Sequence, residues 1–165
     1  MPDAIMEMEH ILEREEEIYR EIYYIEEQKS SAIMDRDGDR IQGLSAEQER
    51  LLRKVNRLEE KRMGVAADYM AAKGMSPGST LREMTLAMEN DTADRILKKG
   101  MGLKAILMRI SQIQETNAGL LQDNMELYNI MLSGLRDTTS ISTGYSSNGR
   151  EENRVANPVL FNKTV

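Results

Sequence analysis

Near the start of the chain, apolar residues recur every seven positions: Ala4, Ile11, Ile18, Ile25 and Ala32. Met8, Leu12, Tyr19, Ile22 and Ile33 widen that line into a face, a helical rather than a strand periodicity. The pattern predicts a helix over about residues 3–34, on the order of 48 Å long. The three prolines, Pro2, Pro77 and Pro158, lie at its start, in a later loop and near the end, so none breaks a helix between them. Such a chain can satisfy its apolar faces only by packing long helices side by side.

Asp35 to Gly43 reads as a turn, and Ser45-Ala46-Glu47-Gln48 as a capping box opening a second helix over about 45–73. That helix carries Leu51, Val55, Leu58, Val65 and Tyr69 on one side. Thr80-Leu81-Arg82-Glu83 is a second capping box, starting a short helix over about 80–89. Asp91 or Thr92 caps a last helix over about 92–136, with Ile96, Leu103, Ile106, Ile110, Ile113, Leu120, Leu121, Leu127, Met131 and Leu135 among its apolar positions. Gly100 and Gly102 weaken it, each by about 1 kcal/mol relative to Ala. The expected fold is all-α: an elongated antiparallel helical bundle, or coiled coil, of three long helices plus one short helix over residues 1–136. From 137 the composition turns to Ser, Thr, Gly and Asn, which predicts a mobile C-terminal tail over 137–165. Val159, Leu160 and Phe161 form a small apolar cluster there, either a docking segment or an ordinary terminus.

Composition removes several function classes. With no Cys and one His, there is no thiol nucleophile, disulfide or two-His metal site. The net charge of −6 argues against a nucleic-acid footprint. Neither a secretory signal nor a spanning apolar run is present, so the expectation is a cytoplasmic protein without membrane insertion. Residues 1–30 hold ten acids against three bases, whereas Arg50, Arg53, Lys54, Arg57, Lys61 and Arg62 make a basic stretch. Complementary flanks favour antiparallel pairing of the first two helices, the alternative being solvated faces.

Candidate chemistry is sparse. Glu7-x-x-His10 has di-iron spacing, but the second such motif is missing, leaving an exposed His on a polar face. Asp35-Arg36-Asp37-Gly38-Asp39 imitates the start of a calcium loop, yet Arg40 and Ala46 stand where Gly and Glu are needed. Gly100-Met101-Gly102 lies inside a helical pattern with no preceding strand and is no phosphate cradle. No catalytic residue, metal ligand set or cofactor is expected. Asn117 continues the apolar face past Ile113, and Asn124 repeats it a heptad later; a buried Asn fixes register, while an exposed one does nothing of the kind. Thirteen methionines are either core filler or the lining of an adaptable surface for partner helices.

The order of parts resembles the FlgN family of flagellar type III export chaperones. The resemblance runs from the acidic first helix with Tyr19, Ile22 and Lys29 through Leu58-Glu59-Glu60-Lys61-Arg62 and the Thr80-Leu81-Arg82-Glu83 step. Later come Ile113-Gln114-Glu115-Thr116-Asn117-Ala118-Gly119-Leu120-Leu121, then Gly144-Tyr145-Ser146-Ser147-Asn148-Gly149, then the ending Leu160-Phe161-Asn162-Lys163-Thr164-Val165. The resemblance implies a non-enzymatic chaperone for hook–filament junction proteins, keeping their C-terminal amphipathic helices soluble and delivering them to the cytosolic domain of the export gate. It implies a substrate groove of Asn117, Leu120, Leu121, Asn124, Leu127, Tyr128, Met131 and Leu135, a gate-docking Tyr145, and a monomer or homodimer. The competing reading is a structural homo-oligomeric coiled coil or stalk component of a secretion or motor complex.

Overall fold

In the computed structural model, which describes residues 2–142, four helices follow one another: α1 (Pro2–Met34), α2 (Gly38–Ala72), α3 (Leu81–Thr85) and α4 (Asn90–Ser142). There is no strand among the described residues, and the fold is an all-α bundle. The chain divides into two compact units, Met1–Met125 and Glu126–Val165. The expected division fell at 136/137, and α4 continues to Ser142 through residues that the composition assigns to a tail. The remainder of that tail, including Tyr145 and Val159-Leu160-Phe161, lies outside the described residues.

In the first unit, the heptad line of α1 is its buried line. Ile18, Ile22 and Ile25 pack with Leu51 and Val55 of α2 and with Ile106 and Ile110 of α4. A second cluster joins Met8 and Leu12 of α1 to Tyr69 and Met70 of α2, Met84 of α3 and Ile96 of α4. Full burial of one such side chain contributes about 2 kcal/mol, so these two clusters are the main force holding the helices together.

The α1–α2 connection is tighter than the sequence suggests. Asp37 N donates to Ala32 O at 2.9 Å and Arg36 N to Ile33 O at 3.1 Å, with Arg36 at φ 54°. That is a Schellman ending with a non-glycine in the left-handed position. Asp37 then caps α2 by accepting from Arg40 N at 3.0 Å, so α2 begins at Gly38 and not near residue 45. Ser45 and Gln48 therefore form no cap: Gln48 is buried mid-helix, where its amide donates to Glu26 Oε1 at 2.7 Å. α2 ends by the same motif at Gly74 (φ 66°), with Met75 N on Met70 O at 2.9 Å. The Thr80–Glu83 capping box is present, and it opens a helix of only five residues.

Cross-helix pairs give the directions. Lys29–Gln48, Glu15–Arg62 and Glu7–Lys61 show α2 antiparallel to α1. Glu9–Arg95, Glu13–Lys99, Glu26–Asn117 and Ile33–Asn124 show α4 parallel to α1, with separations growing from 86 to 91 residues. The acids of α1 thus serve both neighbours, whereas Arg50 and Arg53 are paired within α2 to Glu47 and Glu49.

Candidate functional site

In the first unit, α4 presents one seam to α1 and α2. Ile96, Leu103, Ile110, Asn117 and Asn124 recur every seven residues, with Ile106, Ile113 and Leu120 between them. Along it Ile96, Ile106, Ile110 and Asn117 are buried, and Leu103, Ile113, Leu120 and Asn124 are half-buried. The seam turns from apolar to polar at Asn117, which is 4% exposed.

Asn117 belongs to a buried polar network joining three helices. Its Nδ2 donates to Glu26 O and to Glu26 Oε2, both at 2.9 Å, and its Oδ1 accepts from Ser30 Oγ at 2.5 Å. Glu26 Oε1 also accepts from Gln48 at 2.7 Å and Gln114 at 3.3 Å, and Lys29 Nζ lies 3.5 Å away. Lys29 bonds Gln48 as well. A carboxylate 3% exposed is tolerable only with such a complete set of donors. Two turns later, Asn124 Nδ2 donates to Ile33 O at 3.1 Å. Both asparagines predicted for the groove are thus committed to α1.

Glu15 is a second buried carboxylate, held by Arg62 Nε at 3.1 and 3.2 Å. Burial pushes its carboxyl above the ordinary value, and the Arg62 charge opposes that without cancelling it. Sequence reasoning passed over both acids among the many of α1. One signal was available for Glu15: it sits on the seam midway between Met8 and Ile22, seven residues from each.

Of the other groove residues that the resemblance implies, all but Leu120 are exposed. Leu121 is exposed in the first unit, where Leu120 is half-buried. In the second unit, Leu127, Tyr128, Ile130, Met131, Leu132 and Leu135 are all exposed within ten helical residues, Tyr128 by 65% and Met131 by 57%. Water-facing apolar side chains at that density mark an interaction surface. All of these side chains lie on α4. Ile130 and Leu132 were not among the predicted residues, although the run Leu127-Tyr128-Asn129-Ile130-Met131-Leu132 carries the signal.

Two glycines of α4, Gly100 and Gly102, serve close approach. A Cβ on Gly100 would stand 2.8 Å from Leu81 Cδ2, and one on Gly102 would stand 3.1 Å from the Glu16 carboxylate. Alanine there would press on α3 and α1, so the helix propensity lost at these positions is offset by packing.

Among the described residues, no cluster of His, Asp and Glu could hold a metal ion, and no helix is long and apolar enough to cross a membrane. Glu7 pairs with Lys61 at 2.7 Å and His10 is exposed, while Asp35 faces Arg40 and Asp37 caps α2.

The family model described as FlgN protein matches residues 1–153. The chain belongs to the FlgN family. FlgN proteins are flagellar export chaperones, a class that works by binding other proteins. Neither the comparison with curated proteins nor that with solved structures gives a match. The FlgN match takes in the asparagine-bearing seam and the exposed run 127–135.

Proposed function

We propose that this FlgN protein is a cytoplasmic, non-enzymatic chaperone for hook–filament junction proteins. It binds their C-terminal amphipathic helices, keeps them soluble and delivers them to the cytosolic domain of the type III export gate. The observation that carries the reading is the density of exposed apolar side chains at Leu127, Tyr128, Met131 and Leu135, with exposed Leu121 and half-buried Leu120 earlier on α4. An unpartnered amphipathic helix exposes an apolar stripe and self-associates; covering that stripe with adaptable Met and Leu side chains removes the hazard. Asn117 and Asn124 support this surface indirectly, by fixing α4 on α1. Tyr145 is the gate contact, an aromatic anchor for the loaded complex.

The test is titration calorimetry with a junction-protein C-terminal fragment. Met131→Asp and Leu121→Asp weaken binding by about tenfold or more at unchanged helicity. Unchanged affinity in both variants places the client elsewhere. Tyr145→Ala lowers the affinity of the loaded complex for the gate domain and leaves client binding as it was; equal gate affinity removes that role.

A further inference from the structure

We propose that the helical segment 126–135 is enclosed by a pair of client helices, one along each flank, and not by a single strip. The proposal rests on the client-binding reading above and adds the form of the client.

Position around the helix carries it. At about 100° per residue, Ile130, Leu127, Met131, Tyr128 and Leu132 succeed one another round an arc of about 200°. Glu126, Asn129 and Ser133 fill the remaining strip. Ile130 is 67% exposed and Leu132 38%, so both edges of the arc meet water. One neighbouring helix covers an apolar stripe of about 100°. An arc twice as wide is covered by two.

Continuity of register gives the second argument. In the first unit the α4 seam is already shared by two helices: Ile106 and Ile110 meet Ile18, Ile22 and Ile25 of α1 together with Leu51 and Val55 of α2. Asn124 of α4 bonds Ile33 O, one residue before α1 ends at Met34. In sequence, the same heptad positions recur at Leu127 and Met131. On those residues, two client helices repeat what α1 and α2 do around Ile106 and Ile110. Glu126 is the one charged residue between 126 and 135, so the client helix beside it carries a Lys or Arg there.

The experiment places a photo-crosslinking benzoylphenylalanine at position 130 or at position 132 of the full chain. The probe is the C-terminal fragment of a hook–filament junction protein. The two positions capture two different helices of the fragment; capture of one and the same helix from both overturns the proposal. In parallel, Ile130→Asp and Leu132→Asp each weaken binding by about tenfold, whereas Ser133→Asp on the polar strip changes it by less than about twofold. Gln replaces Asp at either site if the charge lowers helicity. Loss at only one edge overturns the helix pair and leaves the client-binding reading standing. No loss at either edge, with no crosslink, overturns both.

Discussion

Asn117 Nδ2 bonds two different acceptors of one residue, the main-chain carbonyl and the carboxylate of Glu26, each at 2.9 Å. A single amide therefore ties α4 to the backbone of α1 and also donates to a buried carboxyl group. Replacing Asn117 with Leu fills the space but strips both acceptors of a donor. The expected cost is about 2 kcal/mol, read as a lower urea midpoint at unchanged slope. An unchanged midpoint would mean that Gln48, Gln114 and Lys29 suffice for Glu26.

Glu15 predicts a pH dependence of definite sign. Burial raises its folded-state pKa above the unfolded value, with Arg62 opposing. The native state then holds the proton more tightly than the unfolded chain does. This contribution is complete below the unfolded carboxylate pKa and is lost as pH rises through the higher folded one. The stability of wild type relative to Glu15→Gln should therefore fall as pH is raised from the acidic side through that window. Urea titrations across the range check it, and a rise would show that Arg62 dominates.

Gly119 of α4 has open space around a built Cβ, unlike Gly100. Gly119→Ala should stabilise by about 1 kcal/mol through helix propensity. Gly100→Ala should fall well short of that gain, because its methyl meets Leu81. Thermal unfolding of the two variants side by side gives the comparison.

Arg36 and Gly74 occupy equivalent left-handed positions at the ends of α1 and α2. Arg36→Gly should add about 1 kcal/mol, and Gly74→Ala should remove about as much. Denaturant midpoints moving in opposite directions are the expected result.

The long helices were legible because heptad spacing needs no tertiary information: Ile11, Ile18 and Ile25 are buried where their period places them. Local chemistry was less secure. Ser45-x-x-Gln48 has the letters of a capping box, but Asp37 closes the turn earlier, and Gln48 is claimed by Glu26 across the helix pair. Only a contact distant in sequence distinguishes those uses. The same limit hid Glu26, whose burial depends on donors from α2 and α4. Glycine was misjudged at 100 and 102 for a related reason: its cost is intrinsic, whereas its benefit lies in a neighbour. In the exposed run, composition marked the apolar residues, but which sides of the helix face water required coordinates.

The parallel course of α1 and α4 also orders assembly. Partners on α1 and α2 lie as few as 19 residues apart, whereas those on α1 and α4 lie 86 to 91 apart, with the whole return helix between. Nearer pairs close first at lower entropic cost. On a translating ribosome, the two-helix hairpin can form while the third long helix is still in the exit tunnel, so the surface proposed for clients is the last part of the bundle to emerge.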